Sequence, residues 1–375
     1  MTGIKNAVKK LLNVLLPIQK KKIVFINFNG KGYGDNPKYI AQELIRQKVA
    51  CDMVWLVSNM DEPMPEQIRK VPFGSVKAKL ELMSAGIWVS NVRNHQGVDK
   101  RRKQFYIQTW HASYSPKLLE KAAADILGPQ LVAAFSRDGR ITDLMLSNSR
   151  LQTLEYRENF WYDGEILECG MPRNDFLVNA AKDAETMARI RREVGIANNE
   201  KVVIYAPTFR DTGRTDCYNV DFERLVNAAQ RLYGCPCKLL VRLHPNIADQ
   251  AEMFQYSDRV INASPYPDMQ ELLLISDMLV TDYSTSIFDI AMLDRDVVVY
   301  VPDVQEYQRE RGLKQSFFEL PFPRAESEEA LYHCVENYRT IAPRERILEF
   351  MDTYESYDTG TASAAVCQRI KEHLK

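Results

Sequence analysis

Two histidines stand directly after strand-like runs of the sequence, where an imidazole can take up or donate a proton. His111 follows the aromatic run FYIQTW, and His244 ends LLVRLH just before Pro245. Imidazole titrates near neutrality, so it suits general acid–base chemistry. A lone histidine is more often structural than catalytic. The strand-end position favours catalysis here, and Arg242 is expected on the same side of the strand as His244.

A hydroxyl-rich loop gives the second group of candidates. In DMLVTDYSTSIFD, a strand is expected to end at Thr281 and Asp282, and an apolar helix follows. The first N–H groups of a helix have no intrahelical partner, so hydroxyls beside them can help to bind phosphate. The same hydroxyls can instead simply cap the helix. Three of them beside a strand-end Asp favour a phosphate site made of Ser284, Thr285 and Ser286.

Two arginines add positive charge. Arg210 follows the strand that Pro207 ends in APTFRD, and it can grip a phosphate through two N–H groups or pair with Asp211. GMPRND supplies Arg173 and Asn174, although a tight turn explains this motif equally well. Histidines, arginines and hydroxyls at strand ends together indicate transfer of a phosphate-bearing group.

The glycine-rich loop GKGYGDN follows the first strand. It is not the G-x-G-x-x-G of dinucleotide-binding domains, and no acidic residue about 20 positions on is convincingly placed to hold a ribose. NAD is therefore weakly supported. Arginine, histidine and helix N–H groups can neutralise phosphates, so the sequence predicts neither a cofactor nor a metal.

Strand and helix signals alternate along most of the chain. The predicted strands lie at 22–28, 53–58, 87–91, 105–110, 144–149, 165–170, 201–207, 238–244, 259–263, 277–283 and 296–301. A helix is expected at 36–47, and the polar stretch 180–200 separates two sets of strands. This alternation is typical of parallel sheets wrapped by helices. We expect two such domains, with a ligand cleft between them at the carboxyl ends of the strands.

Residues 1–21 predict a basic amphipathic helix. No acidic residue precedes Asp35, and apolar residues recur at helical spacing from Ile4 to Leu15. The apolar run is too short to span a bilayer, and it lacks the features of a signal peptide. The helix is expected either to lie in an anionic membrane surface or to pack on its own domain.

The composition excludes several classes of protein. The 375 residues include 49 Lys and Arg against 50 Asp and Glu, whereas a nucleic-acid binder is normally basic. Hydrophobic residues make up 45% and charged residues 26%, which excludes disorder. Of seven cysteines only Cys235 and Cys237 lie close together, so neither a disulfide framework nor a zinc site is expected, and a reducing cytoplasm fits.

These motifs, in this order and spacing, resemble the CDP-glycerol glycerophosphotransferases of teichoic-acid and capsule synthesis. The resemblance covers roughly residues 23–315 and rests on FNGKGYGDNPKYI, YIQTWH, LMLSNS, GMPRND, APTFR, RLHP and DMLVTDYSTSIFD. It implies a GT-B fold, with an N-terminal helix at 1–21, an acceptor domain at 22–178 and a CDP-polyol donor domain at 179–375. It also implies peripheral attachment to the cytoplasmic face of the cell membrane.

The resemblance assigns roles by position. His111 and His244 match histidines regarded as catalytic in such enzymes. Including the arginines singled out above, the donor-binding candidates are Arg173, Arg210, Arg242, Thr281, Asp282, Ser284, Thr285 and Ser286, and the acceptor-side candidates are Gly30, Tyr33 and Asn36. The chain departs from the family at Ala112, where glycine is usual, and at 113–125, which leaves the acceptor open.

The reaction that follows has an acceptor hydroxyl attack the β-phosphorus of CDP-glycerol, with CMP as the leaving group. His111 is expected to be the base, while His244 and Arg210 stabilise charge on the pyrophosphate. Four alternatives remain: a CDP-ribitol donor, a GT-B glycosyltransferase that uses a nucleotide sugar, a nucleotide-sugar epimerase and a non-catalytic membrane scaffold. The acceptor is expected to be a lipid-linked glycan or a teichoic or capsule chain, and single addition is not separated from polymerisation.

Overall fold

The computed structural model describes residues 13, 15–93, 96–218, 220–244 and 247–375. Most of the predicted N-terminal helix therefore lies outside the described residues. Its last three residues belong instead to the first strand, which begins at Gln19, because Pro17 is incompatible with a continuing helix. Within the described ranges, no helix has the length and apolar character needed to cross a bilayer.

The described elements alternate as the sequence predicts. The strands are β1 (Gln19–Ile26), β2 (Asp52–Val57), β3 (Ile68–Pro72), β4 (Ala85–Ser90), β5 (Phe105–Gln108), β6 (Leu144–Ser147), β7 (Glu165–Glu168), β8 (Lys201–Tyr205), β9 (Cys237–Val241), β10 (Val260–Asn262), β11 (Met278–Thr281), β12 (Asp296–Tyr300) and β13 (Arg324–Ala325). The helices are α1 (Asp35–Arg46), α2 (Val76–Ser84), α3 (Ala124–Ile141), α4 (Arg150–Asn159), α5 (Asn174–Ala180), α6 (Ala184–Glu193), α7 (Phe222–Tyr233), α8 (Met269–Ile275), α9 (Ser286–Ala291), α10 (Val304–Arg311), α11 (Gln315–Phe318), α12 (Glu328–Glu336), α13 (Tyr338–Ile341), α14 (Arg344–Tyr354) and α15 (Ala362–Leu374).

The first sheet has seven strands in the order β3-β2-β1-β4-β5-β6-β7, and every pair is parallel. The central strand β1 carries Ile23, Val24, Phe25 and Ile26, all of them buried. A strand that is apolar on both faces must be covered by helices on both sides. The strand order reverses between β1 and β4, which places a crevice at their carboxyl ends.

The second sheet has six strands in the order β10-β9-β8-β11-β12-β13, again all parallel. Its order reverses between β8 and β11, and the APTFR and DYSTS motifs follow these two strands directly. The prediction of two Rossmann-like, parallel-sheet α/β domains of GT-B type is confirmed. The edge strands β3 and β13 escaped prediction because one contains charged residues and a proline and the other has two residues.

The chain crosses between two compact units more often than the predicted boundaries allow. Unit 1 comprises residues 1–111, 127–175 and 357–375, and unit 2 comprises 112–126 and 176–356. The predicted boundary at 178–179 lies close to the crossing after Asp175. The prediction placed the C-terminal residues in the second domain, whereas α15 belongs to unit 1. It packs there because its apolar side chains Val366, Cys367 and Ile370 are fully buried in the core of the first sheet.

We expect Ile370→Ala to destabilise unit 1 by about 2–4 kcal/mol, because the change removes a buried side chain and leaves a cavity. Faster native-state hydrogen exchange of the β1 and β4 amides measures the loss. Leu348→Ala on α14 is the control, since that side chain is 52% exposed and should change little. Unchanged exchange of these amides in Ile370→Ala would contradict the assignment of α15 to this core.

Candidate functional site

Two asparagines mark the carboxyl ends of the central strands of unit 1. Asn27 follows β1 and Asn91 follows β4, and both are buried. Asn91 Nδ2 donates to Asn27 Oδ1 at 2.8 Å, and the Phe28 N–H donates to Asn91 Oδ1 at 2.9 Å. These bonds join the loops after β1 and β4 at the point where the strand order reverses.

His111 lies three residues beyond β5, against the loop after β4. Its Nδ1 is 2.7 Å from the backbone carbonyl oxygen of Asn91. A carbonyl oxygen only accepts hydrogen bonds, so Nδ1 carries the proton and the neutral ring has its lone pair on Nε2. The rings of Phe28 and Trp110 pack on the imidazole, with centroids 5.3 and 4.7 Å away. The ring is therefore oriented with Nε2 as the atom that can take up a proton.

The backbone of Trp110 and His111 is held by two motifs that are distant in sequence. Asn36 Nδ2 donates to the Trp110 carbonyl at 3.0 Å, and Arg173 Nη1 donates to the His111 carbonyl at 2.8 Å. Arg173 Nη1 also pairs with Asp35 Oδ2 at 3.1 Å. The backbone N–H of Arg173 donates to Asn36 Oδ1. The loop after β1, the TWH motif and GMPRND thus converge on one buried network.

The three acceptor-side candidates have different surroundings. Gly30 has φ +89°, and a Cβ there would lie 2.7 Å from Phe73 Cβ, so glycine is required by packing. The Tyr33 ring packs edge-on to Trp55, and burial raises the pKa of its hydroxyl. Asn36 is fully buried and touches the site through Trp110. Contact of these residues with an acceptor stays a prediction.

Trp110 is supported by a buried residue that none of the sequence motifs contains. Trp110 has φ +55°, an uncommon conformation for a bulky residue, and its indole stands over a buried cation. That cation is Arg93, whose guanidinium carbon lies 5.8 Å from the Trp110 ring centroid. Arg93 pairs with Asp138 at 2.8 Å, with both side chains 2% exposed. The only sequence signal was the place of Arg93, three residues after β4.

In unit 2, Arg210 is the centre of a buried ionic cluster. Its Nε and Nη2 donate to the two carboxylate oxygens of Asp303 at 2.6 and 3.1 Å. Its Nη1 donates to Asp282 at 2.9 Å and to Thr208. The side chain is 4% exposed. Three tyrosine rings lie within 6 Å of the guanidinium, those of Tyr218, Tyr283 and Tyr307.

This cluster does not contain Asp211, one of the two partners expected for Arg210. Asp211 pairs with Arg311 instead. Burial alone would lower the pKa of the guanidinium, but Asp282 and Asp303 outweigh burial and raise that pKa above its ordinary value. All three guanidinium nitrogens of Arg210 are engaged by protein groups, and its contact with a donor phosphate stays a prediction.

The DYSTS loop divides into a buried and a half-buried part. Thr281 Oγ1 donates to the Ala206 carbonyl at 2.6 Å, and Asp282 accepts from the Thr208 N–H at 2.9 Å. Beyond them Ser284, Thr285 and Ser286 are half-buried. Ser284 Oγ lies 2.8 Å from Ser286 Oγ and accepts from the Ser286 N–H, whereas the Thr285 side chain makes no capping bond. The structure therefore shows capping by Ser284 within a group of three half-buried, hydroxyl-bearing residues.

The expectation that Arg242 and His244 share one side of a strand is wrong. β9 ends at Val241, because its neighbour β8 ends at Tyr205 and gives Leu243 no strand to pair with. The Leu243 N–H donates instead to Ser264 Oγ, in the loop after β10. Both residues of the motif therefore lie in the loop after the strand.

Arg242 holds the neighbouring loop after β10. Its Nη1 donates to the carbonyl of Ala263 at 3.0 Å, to that of Ser264 at 2.6 Å and to that of Tyr266. Burial lowers the pKa of Arg242 to about 10. His244 is half-buried, with its ring 5.0 Å from the ring of Phe209, so it lies beside the APTFR motif.

Comparisons with known proteins agree with this arrangement. A solved structure of the wall teichoic acid polymerase TagF, a histidine-to-asparagine variant soaked with CDPG, is similar with a TM-score of 0.87 and 30% identity. The match covers 99% of this chain and 96% of that one. The teichoic acid glycerol-phosphate transferase of Staphylococcus aureus is 30% identical over 98% of this chain and 99% of its own length.

The teichoic acid poly(glycerol phosphate) polymerase of Staphylococcus epidermidis is 33% identical over 96% of this chain. The present chain spans about half of that relative, 51% of its length. The family model described as CDP-glycerol:poly(glycerophosphate) glycerophosphotransferase matches residues 8–372. The chain therefore belongs to the CDP-glycerol:poly(glycerophosphate) glycerophosphotransferase family.

Proposed function

We propose that this chain transfers glycerol phosphate from CDP-glycerol to a hydroxyl of a membrane-linked glycan or polyol-phosphate acceptor, in teichoic-acid or capsular polysaccharide synthesis. The observation that carries the proposal is the contact between His111 Nδ1 and the Asn91 carbonyl, since it leaves the lone pair of the neutral ring on Nε2. The glycerol-phosphate names of two relatives and the CDPG soak of a third support the donor.

His111 acts in this mechanism as the general base. Nε2 takes the proton of the acceptor hydroxyl while the new oxygen–phosphorus bond forms at the β-phosphorus. The bond from that phosphorus to the bridging oxygen breaks, and CMP leaves with the oxygen and its electron pair. The Asn91 carbonyl keeps its hydrogen bond to Nδ1 throughout, so it favours the imidazolium that forms.

The groups for the donor phosphates come from unit 2. We assign the phosphates to the half-buried hydroxyls of Ser284, Thr285 and Ser286 and to His244. Their support is the buried ion pair between Arg210 and Asp282, at the start of the same loop. The hydroxyls of this loop supply hydrogen-bond donors for the pyrophosphate, and we propose no metal ion or cofactor.

We place the enzyme at the cytoplasmic face of the cell membrane as a peripheral protein. The support is the amino-acid pattern of the N-terminal segment, whose lysines accompany an apolar helical stripe. If the acceptor is linked to the membrane, peripheral attachment keeps the enzyme on the same surface as its acceptor.

His111→Ala is expected to lower kcat by about 10²–10⁴-fold, the usual contribution of a general base. Affinity for CDP-glycerol should stay unchanged, because the proposed donor contacts lie elsewhere. CMP release and calorimetric titration measure the two effects. His333→Ala is the control, since His333 is exposed on α12. Normal CMP release by His111→Ala would remove the histidine from the mechanism.

Thr285→Val should weaken CDP-glycerol binding by about 10-fold or more, the usual cost of losing a hydrogen bond to a charged group. The change keeps the side-chain shape and breaks no capping bond, because the Thr285 hydroxyl makes none. Thr340→Val, at an exposed position on α13, is the matched control. Equal affinities of Thr285→Val and wild type would exclude a donor contact at this hydroxyl.

Nucleotide titrations distinguish the donor classes. The unmodified chain should bind CDP-glycerol more tightly than CMP, and both more tightly than UDP-GlcNAc or UDP-glucose. Tighter binding of CDP-ribitol would make the chain a ribitol phosphotransferase. Selective binding of a uridine nucleotide sugar would instead support a glycosyltransferase or an epimerase.

A further inference from the structure

We infer that Asp358 is a positioning residue for His111 and acts through the loop Met171–Asn174. The inference rests on the proposed function, since it assigns a role in that reaction. Asp358 lies where the chain re-enters unit 1, one residue after Tyr357. It belongs to none of the motifs that carry the family resemblance.

The Asp358 carboxylate accepts hydrogen bonds from two strand-end loops. Its Oδ1 accepts from the Met171 N–H at 2.7 Å, and its Oδ2 accepts from Asn148 Nδ2 at 2.8 Å and Asn174 Nδ2 at 3.0 Å. The Tyr357 N–H also donates to the Asn148 carbonyl at 2.7 Å. One carboxylate thus joins the loop after β6 to the loop after β7.

A glycine permits this close approach. Gly170 has φ +92°, and a Cβ at this position would lie 2.8 Å from Asp358 Oδ1 and 2.9 Å from the Tyr357 carbonyl oxygen. Any other residue would push the carboxylate away from the Met171 N–H. Glycine at the first position of GMPRND is therefore required by Asp358, which lies far along the chain.

The loop that Asp358 holds is the loop that holds His111. Arg173 lies between Met171 and Asn174, and its Nη1 donates to the His111 carbonyl. Met171 and Asn174, which flank this arginine, both donate to the Asp358 carboxylate. The backbone that carries the Arg173 side chain is therefore held in place. A shift of this loop would move the His111 backbone and with it Nε2.

The carboxylate of Asp358 cannot be replaced by an amide without loss of a hydrogen bond. A carboxylate offers only acceptors, which fits three N–H donors. An asparagine would present an NH₂ group to at least one of them and leave that donor without its acceptor. The segment would still stay attached, because Asp175 caps α15 through the Ala362 and Ser363 N–H groups at 2.9 and 2.7 Å.

The test compares Asp358→Asn with Asp352→Asn, the same chemical change at an exposed position on α14. We expect Asp358→Asn to lower kcat by about 10- to 100-fold, because small misplacements of a catalytic group have effects of this size. CDP-glycerol affinity should not change. Imidazole ¹⁵N signals of His111, measured without substrate on histidine-labelled protein, should shift in Asp358→Asn and not in the control.

A double variant with Arg173→Lys adds a test of the route. If Asp358 acts through Arg173, the double variant should lose no more activity than the worse single variant. Asp358→Glu keeps the charge and should recover part of the kcat, which covers the case in which Asp358→Asn does not fold.

Unchanged His111 signals and unchanged kcat, with only a lower melting temperature, would overturn the inference and make Asp358 a structural residue. Failure of the proposed function is a different outcome. A wild-type chain that releases no CMP from CDP-glycerol would show it, while the His111 signals would still report whether Asp358 positions the ring.

Discussion

The one constraint on which the proposed chemistry depends is that a backbone carbonyl oxygen cannot donate a hydrogen bond. The Asn91 carbonyl thereby determines which nitrogen of the neutral His111 ring carries the proton. The carbonyl in turn is held by the bonds between Asn91 and the loop after β1. The loops that meet at the reversal of strand order thus determine the tautomer of one ring.

In unit 2, buried ion pairs rather than a backbone carbonyl fix the position of the strand-end loops. A buried guanidinium is tolerated only when its N–H groups are paired, and Arg210 is paired by Asp282 and Asp303. These pairs hold the start of the DYSTS loop against the loop after β8. The hydroxyls that follow, such as Thr285, are left half-buried. In both units buried ion pairs hold the strand-end loops, and the residues assigned to substrate are less buried than these pairs.

The sequence predicted what is local and missed what is distant. Each of the eleven predicted strands has an observed counterpart, because continuous apolar runs are typical of strands covered on both faces. The motifs at strand ends were found because they directly follow such runs. The pairing of Arg210 with Asp303 was not predicted, because Asp303 lies 93 residues away and belongs to no motif. Asp358 lies 187 residues from Met171, and pairing at that distance leaves no periodicity in a single sequence.

The end of β9 shows a further reason for such errors. LLVRLH reads as one strand up to His244, but a strand continues only as far as its neighbours supply hydrogen-bond partners, and β8 stops at Tyr205. Strand length is a property of the sheet rather than of the segment. Beyond β9 the Arg242 N–H still donates to the Tyr205 carbonyl, and side-chain bonds place the rest of the motif. Arg242 is held by carbonyls of the loop after β10, so the position of this motif depends on a neighbouring connection.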